Sequence, residues 1–220
     1  QEVFRQFFQQ LSSRQQRIIA CADNKELADI IQTLPRASYL TYGKKLGADL
    51  RFTDITTTKT ATFFRLRYHD RDLGEFSTRL FGEKNISNLT GVILLLLQLD
   101  FPLEAITTAI SNFSGANRRF ELLYEDGKLY LFDDYGHHPN EIMALIDAAR
   151  SRFPGRRIGL IFQPHTFSRT KALLAGFNQA LKQADYSLIL PIFPSAREKA
   201  TDFGITAGDI KKIMPAPNLF

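Results

Sequence analysis

Asp133-Asp134-Tyr135-Gly136-His137-His138-Pro139-Asn140-Glu141 joins an apolar run, Leu129 to Phe132, to an amphipathic run that begins near Glu141. The pattern predicts a strand emptying into a loop and then a helix, the repeating step of an α/β fold. At the carboxyl edge of a parallel sheet, loops of this kind are where ligands bind. This one gathers carboxylates, a phenol and imidazoles ahead of a Pro suited to the first helical turn. Asn140 or Glu141 is placed to take up free N–H groups of that turn. Asp-Tyr-Gly is also ordinary turn chemistry and paired histidines are often only solvated, so residue types alone leave both readings open.

Downstream, Ile142 to Phe153 reads as a surface helix stopped by Pro154-Gly155. Ile158 to Phe162 is a continuous apolar run of the kind buried in a parallel sheet. It delivers a second polar strand end, Gln163-Pro164-His165-Thr166-Phe167-Ser168-Arg169-Thr170, with a histidine, hydroxyls and an arginine. Helix Lys171 to Gln183, strand Tyr186 to Leu190 and loop Pro191 to Asp202 follow. Three parallel strands with crossover helices predict a small Rossmann-like domain. The remainder, Ile205 to Phe220, holds one short helical piece and then Pro215-Ala216-Pro217.

Upstream, Phe120 to Tyr124, a turn at Glu125-Asp126-Gly127 and Lys128 to Phe132 predict a hairpin. Arg118-Arg119 precedes it, a pair that suits an anion or a solvated edge. Ser111 to Asn117 is polar, contains glycine and lacks periodicity, the character of a domain boundary. Before it, the chain predicts an amphipathic helix over Val3 to Leu11, a polar turn at Ser12 to Gln16 and a strand at Arg17 to Cys21. Asp23-Asn24 then caps a helix, Glu26 to Leu34, that Pro35 ends, and strand Tyr39 to Tyr42 leads to Gly43. Ala48 to Ile55, Thr60 to Tyr68 and Glu75 to Leu80 predict an antiparallel meander at a sheet edge, with a polar turn over 69–74 that leaves His69 solvated. Gly82 to Asn88 introduces an apolar helix, Leu89 to Leu99. Asn85 and Asn88 share one helical face, where they cap the helix or read the edge of a purine. Phe101-Pro102-Leu103-Glu104 starts a further helix through Ile110.

The chain has 220 residues, 44% of them hydrophobic, with no long low-complexity run, which predicts a globular protein. Val92 to Leu97 is too short to span a membrane, and no signal segment opens the chain, so a cytoplasmic protein without membrane association is expected. The single cysteine, Cys21, ends an apolar strand and reads as a small buried hydrophobe. A net charge of +5 suits an anionic partner, yet the basic residues are scattered with no aromatic-interleaved stripe, so no nucleic acid is expected.

Taken together, Gly82 to Asn88, Arg118 to Glu121, Asp133 to Glu141 and Phe162 to Thr170 resemble, in that order, the Mur ligase family of amino-acid ligases that build peptidoglycan precursors. The match is specific to its alanine-adding members. The resemblance implies an α/β chain: residues 1–116 as the later half of a central ATPase domain with a mixed sheet, and 117–220 as a Rossmann-like C-terminal domain truncated at its end. It implies ATP as the nucleotide, UDP-N-acetylmuramate and L-alanine as substrates, and Mg2+ held by ligands upstream of Gln1. Asn85 and Asn88 resemble the pair facing adenine, although Lys84 stands where a histidine is common. Arg119 resembles the arginine that reaches ATP, and Asp134 the carboxylate that meets its ribose. His137, His165 and Arg169 would sit by the incoming alanine, with Thr166 where relatives often carry arginine.

The family's phosphate-binding glycine loop is not in the sequence; Tyr42-Gly43-Lys44-Lys45 lacks its spacing and its hydroxyl. The chain is therefore expected to be a fragment, or one protein of a split gene. Its sheet edge would be uncovered, open to a homodimer. A non-catalytic module derived from such a ligase, binding a nucleotide or a partner, is the alternative reading.

Overall fold

A computed structural model describes residues 2–13, 17–196, 198 and 200–211. The chain divides into two compact units, 1–115 and 116–220, each with its own core.

In the first unit α1 (Glu2–Ser13) precedes β1 (Ile18–Cys21), α2 (Lys25–Ile31) and β2 (Tyr39–Gly43). The expected polar turn gives way to helix as far as Ser13, and residues 14–16 lie outside the described residues. Asn24 caps α2 by accepting the backbone N–H of Leu27 at 2.8 Å. The helix stops at Ile31 rather than running to Pro35, because the residue before a proline is steered out of the helical region and the chain leaves early. Next come β3 (Leu50–Thr57), β4 (Thr62–Tyr68) and β5 (Arg71–Thr78). Sheet order is β1-β2-β3-β4-β5, parallel through β3 and antiparallel thereafter. The predicted turn over 69–74 shrinks, since Arg71 and Asp72 already pair with Tyr68 and Arg67. Charged residues on an exposed edge strand read like a loop in sequence.

The sheet is covered by α3 (Glu83–Gln98) and α4 (Leu103–Asn112). Leu50, Phe52, Phe64, Leu66 and Phe76 alternate along β3 to β5 so that one face is apolar, and Ile86, Leu89, Ile93 and Leu94 answer them from α3. The edge strand β1 is packed on both sides. Ile18 and Ala20 meet Phe8 and Leu11 of α1 and Ile31 of α2, while Ile19 joins the main core.

In the second unit β6 (Glu121–Glu125) and β7 (Tyr130–Asp133) form an antiparallel hairpin. Asp126 accepts the N–H groups of Lys128 and Leu129 at 2.9 and 2.6 Å, which sets its turn. Then come α5 (Pro139–Arg152), β8 (Gly159–Phe162), α6 (Phe167–Ala172), α7 (Leu174–Leu181), β9 (Tyr186–Ile189), α8 (Ala200–Phe203) and α9 (Ala207–Lys211). The predicted proline-rich end lies beyond the described residues. β8 and β9 pair in parallel across the α6–α7 crossover, around a core of Ile142, Ile146, Phe162, Phe177, Leu181, Ile189 and Ile210.

Only two of the three expected strands share this parallel sheet. Among the described residues β7 pairs with β6 and with no other strand, and a cleft of about 650 Å³, lined by Leu129, Leu131, Phe132, Ile146 and Leu160 among others, lies between it and β8. The apolar run 158–162 is accordingly buried less than its composition predicts, with Ile161 64% exposed. The expected helix over 171–183 begins at Phe167 and is interrupted at Leu173.

Candidate functional site

The loop after β7 is pinned by its own polar groups. Asp134 accepts the backbone N–H of Phe120 at 2.8 Å through Oδ2 and that of Gly136 at 2.7 Å through Oδ1. Tyr135 donates its N–H to the carbonyl of Arg118 at 2.8 Å, and the Arg118 guanidinium lies over the Tyr135 ring while binding Asp133. Arg118 and Phe120 hold positive φ values of 57° and 52°, a conformation that costs a non-glycine residue about 1 kcal/mol or more. A Cβ at Gly136 would stand 2.9 Å from Asp134 Oδ1, so a larger residue here would push that carboxylate from its place.

Burial pushes the Asp134 carboxyl above its ordinary value, against the pull of the N–H groups of Gly136 and Phe120 and of nearby Arg119. Arg119 is itself exposed, and its charge also reaches Glu141. A half-buried carboxylate with a loose cation beside it can hold a hydroxyl or an ammonium group while its loop stays fixed.

The two histidines have separate tasks. His138 is the N-cap of α5: its Nδ1 accepts the N–H of Asn140 at 3.2 Å, with Pro139 as the first helical residue. The expectation that Asn140 or Glu141 would serve the helix start holds for Glu141, which completes a capping box. Its Oε2 accepts the N–H groups of His137 at 2.9 Å and His138 at 3.0 Å. Burial works to raise the Glu141 carboxyl, but those two N–H groups, with His137 and Arg119, hold it below the usual glutamate value. His137 is left with its ring half-exposed and edge-on to Tyr135.

At the second strand end, Pro164 and Thr166 bracket Phe193 in a backbone bridge, and the His165 ring stacks on Phe193 with centroids 5.3 Å apart. Residues 167–169 are helical rather than loop, so Arg169 projects from the first turn of α6. Glu198 accepts the N–H of Phe167 at 2.7 Å, binds the Ser168 hydroxyl, and is held below the ordinary glutamate value by these bonds and by the charge of Arg169. Sequence reading did not single out Glu198. It lies in an aperiodic loop about thirty residues from the groups it serves, and its flanking Arg197 and Lys199 give only the pattern of a solvated charge run. Among the described residues no hydrogen bond or ion pair joins His137 to His165 or Arg169.

In the first unit α3 begins at Glu83, with Gly82 at the N-cap, so neither asparagine caps it. Asn85 donates its amide N–H to the carbonyl of Phe81 at 2.8 Å, which ties down the approach to the helix and leaves its oxygen available. Asn88 is exposed one turn on. Nearby, Lys44 binds Glu83 at 2.7 Å, and Asp23 accepts the N–H groups of Lys44 and Lys45. Cys21 Sγ is 3.8 Å from the Ser87 hydroxyl and half-buried. Among the described residues no group of three or more His, Cys, Asp and Glu could hold a metal ion, and no helix is long and apolar enough to cross a membrane.

These elements carry the sequence profiles of two known domains. Residues 1–96 match the Mur ligase middle domain and residues 118–215 the Mur ligase glutamate ligase domain. The chain belongs to the Mur ligase family. It is 38% identical over 215 residues to the UDP-N-acetylmuramate--L-alanine ligase of Lactiplantibacillus plantarum, covering 98% of this chain and 47% of that one. It is 40% identical over 193 residues to the ligase of the same name from Lactobacillus acidophilus, covering 88% and 43%. This Mur ligase chain thus spans about half the length of the curated relatives it matches. Its fold is shared with the crystal structure of UDP-N-acetylmuramate-alanine ligase MurC from Thermotoga maritima, at a TM-score of 0.72 and 24% identity over 86% of this chain and 41% of that one. It is also shared with MurF ligase of Thermotoga maritima in complex with ADP, at a TM-score of 0.66 and 15% identity over 93% and 43%.

Proposed function

We propose that this chain is part of an ATP-dependent UDP-N-acetylmuramate:L-alanine ligase of peptidoglycan precursor synthesis, acting in the cytoplasm. The observation that carries the reading is the 38% identity to a ligase of that name along nearly the whole chain. In the proposed reaction ATP phosphorylates the muramate carboxylate. The alanine amine attacks the acyl carbon, and the tetrahedral intermediate collapses to amide and phosphate.

Asn85 and Asn88 are proposed for the adenine edge. The free oxygen of Asn85 and the exposed amide of Asn88 fit such a contact, since an amide both donates and accepts. Arg119 and Asp134 are proposed for the nucleotide's phosphates and ribose. Both Asp134 oxygens already serve backbone N–H groups, but a carboxylate has about four acceptor sites, so capacity remains for a ribose hydroxyl. His137, His165 and Arg169 are proposed for the incoming amino acid, with Arg169 on its carboxylate. Placing amine and acyl group within reach accounts for more of the rate than proton transfer does, because orientation alone can lower a barrier by about 7–11 kcal/mol. Mg2+ is proposed to accompany ATP, with ligands outside this chain.

The missing glycine loop favours a second reading for the chain by itself, a binding module without catalysis. The test is amide formation from ATP, UDP-N-acetylmuramate and L-alanine, with glycine and serine as competitors, by this chain and by one extended upstream to include a phosphate loop. Product from the extended chain alone supports the ligase. Product from neither favours the binding module, and product from the short chain overturns the placement of the phosphates.

A further inference from the structure

The ring of His137 has one hydrogen-bond acceptor and one carboxylate on the same side, the carboxylate within ion-pair reach but beyond hydrogen-bond distance. Nδ1 stands 3.2 Å from the carbonyl oxygen of Tyr135 and 3.7 Å from Glu141 Oε2. A carbonyl cannot donate a hydrogen bond and neither can an ionised carboxylate, so the hydrogen belongs to Nδ1. The neutral ring is then the Nδ1–H tautomer, with its lone pair on Nε2.

We propose that Glu141 is a positioning residue whose charge, beside the Tyr135 carbonyl, biases the ring to this tautomer, making Nε2 of His137 the atom that accepts the proton of the incoming amine. This rests on the placement of His137 beside that amine. As the amine lone pair forms the C–N bond and phosphate departs with the electrons of the C–O bond, one N–H proton passes to Nε2. The imidazolium keeps its Nδ1–H toward the Tyr135 carbonyl and the Glu141 carboxylate, which stabilises the new positive charge. Other described groups near the ring are the Tyr135 phenol ring, edge-on with centroids 5.4 Å apart, and, interacting with Glu141, the Arg119 guanidinium and the Asp134 carboxylate.

The capping role of Glu141 does not require its charge, because glutamine completes a capping box as well as glutamate does. Glu141→Gln therefore separates the helix cap from the carboxylate. In the 15N-labelled chain, ring-nitrogen shifts of His137 in mildly alkaline buffer are expected to place the hydrogen on Nδ1. In Glu141→Gln they are expected to move toward a mixture of tautomers while the amide signals of α5 stay in place. Ring shifts unchanged by the substitution, or an Nε2–H ring in the unsubstituted protein, would overturn the proposal. In the complete ligase, Glu141→Gln is expected to lower kcat about tenfold or more, with KM for alanine nearly unchanged. A loss confined to KM would overturn the proton-accepting role. If the unsubstituted complete protein forms no amide, the ligase reading fails, and the ring-nitrogen result still decides what Glu141 does to His137.

Discussion

Asp49 is a carboxylate buried in the first unit, and its partners explain why it is tolerated there. It accepts the N–H of Thr41 at 2.7 Å and the Thr41 hydroxyl at 2.8 Å, and pairs with Arg36. Burial acts to raise its pKa, but Thr41 and then Arg36 prevail and hold it below the ordinary aspartate value. A depressed carboxylate contributes stability that is complete above its unfolded pKa and disappears as pH falls through its folded one. Asp49→Ala should destabilise the first unit by about 1–3 kcal/mol in urea unfolding at neutral pH. The gap to the unsubstituted protein should narrow on acidification. At this scale the sequence is legible where residue type dictates the task, as with Asn24 at a helix start. It is opaque at His138, because histidine caps a helix only through an unprotonated Nδ1, and nothing in a paired His-His says which ring is spent on the backbone.

Elements were legible in kind and less so in extent. The helix expected from Leu89 starts six residues earlier, because its first turn carries the exposed Glu83 and Lys84 and polar residues hide a helical period. The run 158–162 looks buried on both faces, yet burial depends on whether a neighbouring strand pairs, and β7 pairs locally with β6 instead. Gly91 stands in the middle of α3, where glycine weakens a helix, and the structure gives its reason. A Cβ there would meet the Tyr42 ring at 2.8 Å, so glycine lets the helix lie close to β2. Gly91→Ala should lower stability by about 1–3 kcal/mol despite the better helix propensity of alanine, since ring or helix must move. Chemical denaturation of the two proteins would read it, and a stabilised variant would show that Tyr42 yields without cost.

For the whole molecule, two cores on one chain predict two separable transitions. Phe64 and Phe177 are 0% and 1% exposed, each in the core of a different unit. Phe64→Ala and Phe177→Ala should each cost about 3–5 kcal/mol and shift one calorimetric transition while leaving the other in place. A single transition moved by both would mean that the units unfold together. At this level the alternation of strands and helices was enough to read an α/β chain. The loops at 82–88, 133–141 and 163–170 were enough to suggest a family. The split of the strands between two sheets in the second unit was not readable, since pairing partners are a property of the folded chain.

One feature of the first unit bears on how the protein should behave at high concentration. α1 packs Phe8 and Leu11 inward and leaves Val3, Phe4 and Phe7 78%, 61% and 52% exposed. Such a cluster is an aggregation liability, and it predicts self-association in concentrated solution. Replacing Phe4 and Phe7 with glutamine should raise the concentration at which light scattering begins, while the loss of their ring contacts with Phe8 should lower the first unit's melting transition slightly. The same short helix that closes one side of β1 would then also set the concentration at which the protein stays monodisperse.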